Sequence, residues 1–132
     1  MANPVTNETK TNNANPRASR INLQELLARV DNDRELLFEL LSIFKEEFPR
    51  YIKSLENAVV RNNVAEVANV SHTLKGMLSN LAVVKASASA AHLEQLARAG
   101  ETASLRDAYA AFTRDVHGLL PEMETYMTEA RA

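Results

Sequence analysis

The 132-residue chain has no cysteine and no tryptophan, only 3 glycines and 4 prolines, and 5% aromatic residues. Without cysteine there are no disulfides and no thiolate metal sites. Few turn formers and few aromatics disfavour sandwiches and barrels, which need both. No apolar run approaches the roughly 18 residues that span a bilayer, and the N-terminus shows no signal-peptide core. No membrane insertion is therefore expected, and the chain reads as cytoplasmic. Long basic runs are missing too: 15 lysines and arginines stand against 17 acidic residues, for a net charge of -2. That balance argues against general nucleic-acid binding, which needs a clustered basic face.

What is present is helical. Hydrophobic residues make up 45% of the chain and charged residues 24%, enough for one domain. Residues 1–20 are rich in Asn, Thr, Ala and Pro and show no apolar period, so they read as a flexible tail or linker. Residues 21–130 form the domain. Ile21, Leu23, Leu26, Leu27 and Val30 mark a short amphipathic helix, and Asp31-Asn32-Asp33 supplies a break and a cap for the next one. From Leu37 to Val59 apolar residues recur in steps of three and four, with Pro49 expected to impose a kink or short interruption.

Asn62-Asn63 ends that helix and caps a third, whose apolar face is Val67, Val70, Leu74, Leu78 and Leu81. A fourth carries Ala86, Ala90, Leu93, Leu96 and Ala97 and stops at Gly100. The last, from Leu105 to Met127, is expected to bend at Pro121. The fold class expected is all-α: an antiparallel four-helix bundle with a short additional N-terminal helix.

Within the third helix lies His72-Thr73-Leu74-Lys75-Gly76. Glycine in a helix interior costs about 1 kcal/mol relative to alanine, and here it stands one turn from a histidine. At about 100° per residue, His72 falls opposite Leu74 and therefore faces solvent. Its same-face neighbours are Ala65, Ala68, Asn69, Lys75, Gly76 and Ser79, all small apart from the lysine. An ordinary exposed histidine is the bland alternative, but it accounts for neither the glycine nor the clearing around it.

The chemistry open to such a site is narrow. No acidic or hydroxyl partner of His72 can be assigned from sequence, so a hydrolytic triad is unsupported. No second histidine lies three or four residues away, so no metal site is expected. His92 and His117 lack a comparable clearing and are read as structural, His92 at the buried boundary. Glu46, Glu47, Glu122 and Glu124 are read as solvated charges, and Met77, Met123 and Met127 as core fillers. A lone exposed imidazole beside a cation suits covalent phosphoryl carriage: the ring takes the group and Lys75 offsets its charge.

Ser71-His72-Thr73-Leu74-Lys75-Gly76, followed by Asn80-Leu81 and Ala91-His92-Leu93-Glu94, resembles a histidine-containing phosphotransfer (HPt) domain of multistep two-component phosphorelays. Asp33, Glu35, Leu36, Leu37 and the Phe48-Pro49 pair are similar to that family's second helix. The resemblance implies that His72 is the phosphoacceptor, that Lys75 supports the phosphoryl group, and that Gly76 leaves room for the partner. It implies receiver domains of response regulators as partners, together with a hybrid sensor histidine kinase. Mg2+ would be held by the receiver, with no cofactor on this chain and no independent catalytic activity. The chain departs from the family in having Met77 and Leu78 after the glycine, and Ala82 where many members have glycine. A rival reading is a helical-bundle interaction module that binds a receiver or other signalling protein without being phosphorylated.

Overall fold

A computed structural model describes residues 21–131, with side chains described through residue 129. The tail expected over residues 1–20 lies outside the described residues. All regular structure in the described residues is helical: α1 (Leu23–Arg29), α2 (Arg34–Val60), α3 (Val64–Asn80), α4 (Val84–Arg98), α5 (Thr102–Val116) and α6 (Leu119–Arg131).

Caps fix the starts of the first three helices. The side chains of Asn22, Asp33 and Asn63 accept from the backbone N–H of Glu25, Leu36 and Glu66 at 3.1, 3.0 and 3.2 Å. Each supplies one of the acceptors that a helix N-terminus lacks. Three-residue joints link α2 to α5, which forces successive helices to run antiparallel. Apolar side chains at helical spacing then meet inside the bundle. Leu41, Leu55, Leu74, Leu93, Leu105 and Phe112 are fully buried. Phe44 and Phe48, one turn apart, stack with ring centres 4.6 Å apart.

Two details differ from the sequence expectation. Pro49 does not interrupt α2, which is continuous for 27 residues. The proline sits on the exposed side of the helix, where a carbonyl left without a donor costs little because that side is open to solvent. The last helix is also not one bent rod. It breaks at His117-Gly118, where Gly118 takes φ 82°, a left-handed conformation that glycine adopts without steric cost. Pro121 is the third residue of α6, where no intrahelical N–H is required. After this break α6 runs back along α2, tied by the Lys45 Nζ to Glu124 Oε2 ion pair at 2.6 Å. Glu122 likewise departs from a purely solvated role, accepting from the Ile21 backbone N–H at 3.2 Å. Helix α1 lies over the start of α2 and the end of α3. The Arg29 guanidinium donates to the carbonyls of Ser79 and Asn80 at 3.0 and 3.1 Å, two groups that α3 itself cannot satisfy.

The ends of α2, α3 and α4 share one hydrogen-bonding pattern. At α3, the Val83 N–H donates to Leu78 at 2.9 Å and the Ala82 N–H to Ser79 at 3.0 Å. This pair of bonds requires a left-handed residue just past the helix. Asn62 (φ 54°) and Gly100 (φ 73°) fill that position after α2 and α4, but after α3 it is Ala82, at φ 59°. A Cβ in this conformation costs roughly 1 kcal/mol. Ala82→Gly is therefore expected to stabilise the protein by about 1 kcal/mol. Urea denaturation checks this, and an unchanged or lower midpoint would contradict it.

Candidate functional site

The site is built on the α3–α4 hairpin, the most closely packed pair of helices. Ala86, Ala90 and Ala97 of α4 are buried, and side chains this small let two helix backbones approach closely. Ser87 sits in the narrow gap, donating to the Lys75 carbonyl at 3.2 Å and sharing a 2.6 Å hydrogen bond with Ser79 Oγ. Ser71 is buried as well, its hydroxyl without a hydrogen-bond partner among the described residues.

His72 is exposed, with 62% of its side chain accessible, as the helical projection required. Thr73 beside it donates to the Asn69 carbonyl at 3.3 Å. Gly76 is exposed, and a Cβ placed on it would meet nothing within 4 Å. No packing among the described residues calls for a glycine there. Ala65, Asn69 and Ser79 are also exposed, and they surround the imidazole as expected. Ala68 is not part of this face, being only 4% accessible. The packed sector of α3 is wider than its leucine stripe because α3 is covered by α2 on one side and α4 on the other. His92, expected at the buried boundary, is exposed instead. His117 is exposed at the end of α5.

The residue that sequence reasoning missed is Glu94. Its side chain is only 10% accessible, yet it gathers three cationic or potentially cationic groups. Oε2 lies 3.1 Å from Nδ1 of His72 and accepts from Nε and Nη2 of Arg98 at 3.0 and 2.7 Å. Oε1 lies 3.1 Å from Nζ of Lys75. Burial alone would raise the carboxyl pKa. The hydrogen bonds from Arg98 and Lys75, with the charge of Lys75, outweigh it and hold the pKa down at about 2. Glu94 is therefore a carboxylate, with no proton of its own to give. The proton in its contact with His72 must be on Nδ1, so the ring's lone pair is on Nε2. No described residue hydrogen-bonds Nε2.

A signal for Glu94 was present in the sequence. It follows Ala90 by one turn and precedes Ala97 by three residues, which puts it on the buried face of α4. A carboxylate on such a face needs compensating donors, and Arg98 stands one turn further on. What could not be read was the register between α3 and α4 that brings this face beneath His72.

The cluster carries a stability signature. The carboxyl pKa falls from 4.5 to about 2 on folding. Its stabilisation is therefore complete above the unfolded value and is lost as pH drops through the folded one. Between pH 4.5 and 2 the wild type is expected to lose about 3 kcal/mol more than Glu94→Gln. Unfolding free energies across that range check this, and parallel curves would contradict it.

The Hpt domain family model matches residues 39–132. No curated protein and no solved structure gives a match. The matched segment contains all of α3 and α4, and with them His72, Lys75, Gly76, Glu94 and Arg98. Among the described residues no helix is long and apolar enough to cross a membrane. An all-helical bundle, matched by this model over most of its length, belongs to the Hpt-domain family, the phosphotransfer carriers of phosphorelays that interact with receiver domains.

Proposed function

We propose that His72 is the phosphoacceptor of this carrier, receiving a phosphoryl group on Nε2 from a receiver-domain aspartate and returning it to another. The observation that carries this reading is the pairing of Nδ1 with Glu94 on an otherwise exposed ring. It fixes the tautomer in which Nε2 is nucleophilic, and it leaves that nitrogen free for a partner. In the transfer, Nε2 attacks phosphorus as the phosphorus–oxygen bond to the aspartate breaks. The aspartate leaves as a carboxylate, and no proton has to move.

Lys75 is one helical turn from His72, with its side chain 35% accessible. Its ammonium offsets the charge of the phosphoryl oxygens. Gly76, with Ala65, Asn69 and Ser79, forms the low surface against which the receiver rests. The receiver brings the rest of the machinery, including its Mg2+.

His72→Gln is expected to abolish labelling by a radiolabelled phospho-receiver, and undiminished labelling of that variant would overturn the proposal. Retained affinity for the receiver with no labelling of the wild type would instead favour the unphosphorylated interaction module. Gly76→Gln separates stability from function. An exposed helix interior gains about 0.5 kcal/mol or more when glycine is replaced by a good helix former. A longer side chain there obstructs docking, however, so transfer is expected to slow about tenfold or more, by the roughly 1–2 kcal/mol a misplaced contact costs. Wild-type transfer rates in this variant would remove the clearance argument.

A further inference from the structure

A phosphoryl carrier must also let go, and the imidazole is then the leaving group. When a receiver carboxylate oxygen attacks phosphorus, the new O–P bond forms as the Nε2–P bond breaks and its electron pair returns to Nε2. If Nδ1 still holds its proton, a neutral imidazole departs. If the proton has been lost, the ring must depart as imidazolate, a far stronger base and a far worse leaving group. The protonation of Nδ1 in the phosphorylated state therefore decides whether His72 is a carrier or a store. On an exposed helix face with no partner, that proton would be lost near the ordinary imidazole value of about 6.5.

From the geometry we propose that Glu94 is a positioning residue for discharge, retaining the Nδ1 proton on phosphorylated His72 so that the phosphoryl group stays labile through neutral pH. This rests on the assignment of His72 as the acceptor. Three features suit Glu94 to the task. Its Oε2 lies 3.1 Å from Nδ1, on the side of the ring away from the phosphorylated nitrogen. The carboxylate is almost wholly buried and held on Oε2 by two hydrogen bonds from Arg98, which keep it in place when Lys75 turns from Oε1 to the phosphoryl oxygens, so it neither turns away nor takes the proton itself. It also gains a full charge-assisted hydrogen bond once phosphorylation places positive charge on the ring. The charged groups brought to His72 are Glu94 of α4 and, through it, Lys75 of α3 and Arg98 of α4; among the described residues no charged group of α2 pairs with the ring.

The test uses phosphoramidate, a small phosphoryl donor that needs no receiver, on the whole chain and its Glu94→Gln variant. Failure of wild-type His72 to take the label in 31P spectra would count against the acceptor assignment itself. With both proteins charged, discharge onto an unphosphorylated receiver with Mg2+ is followed from pH 6 to 8.5. Glutamine keeps an acceptor oxygen but not the charge. The ratio of wild-type to variant rate is therefore expected to rise above pH 6.5, towards tenfold per pH unit. The receiver's own pH dependence cancels in that ratio. A ratio independent of pH would overturn the proposal, because a purely structural loss has no reason to follow imidazole titration. A second measurement needs no variant. The ring proton of wild-type phosphohistidine, followed by NMR, should be retained well above the ordinary imidazole value of about 6.5, and its loss near that value would equally overturn the proposal.

Discussion

The close approach of α3 and α4 is the constraint on which the rest of the site depends. Buried alanines on α4, with Ser87 wedged under the Lys75 carbonyl, set both the distance and the register of the two helices. At that register a carboxylate from α4 sits beneath an imidazole on α3. A slightly wider hairpin would leave Glu94 buried without His72 and leave His72 with no defined tautomer. The geometry of one nucleophilic nitrogen thus follows from methyl-sized side chains a turn or more away, which touch no substrate.

Glu94 also shows how a buried charge can be retained at a functional site. An isolated carboxylate in this position would be neutralised or expelled. Here Arg98 supplies two hydrogen bonds from the same helix and Lys75 supplies a third from its neighbour. The cost of desolvation is offset within the cluster, and the imidazole is one more donor to a site already compensated. This makes the His72 contact robust: the carboxylate stays ionised and fixed whether or not the histidine is there to use it.

Much of this was legible in the sequence, for reasons that mark where legibility ends. The long amphipathic periods of α2, α3 and α4 name their helices and core residues, and Asp31-Asn32-Asp33, Asn62-Asn63 and Gly100 mark their ends. His72 could be placed on the solvent side because one helix has only one period. Properties that depend on two helices could not be read. A single-helix projection puts Ala68 on the open face, because it cannot show that α3 is covered on two sides. Glu94 closes the Ala91-His92-Leu93-Glu94 motif, but the sequence alone gives it no role, since its partner lies 22 positions away across a hairpin of unknown register. The bend expected near Pro121 falls three residues earlier, at His117-Gly118, because a glycine able to adopt positive φ stops a helix more surely than a proline in its first turn.

Arg29 has a consequence for where the physical unit begins. Its guanidinium holds the last carbonyls of α3 from a helix that precedes the matched family segment. Ile21, Leu26 and Leu37, also upstream of that segment, are 2%, 2% and 1% accessible. A fragment trimmed to residues 39–132 would bare the inner surface these side chains cover. It would also loosen the far end of the helix that carries His72. The recognisable signature of the family is thus shorter than the piece of chain that folds around it, and any excised version intended to keep its shape has to include Ile21.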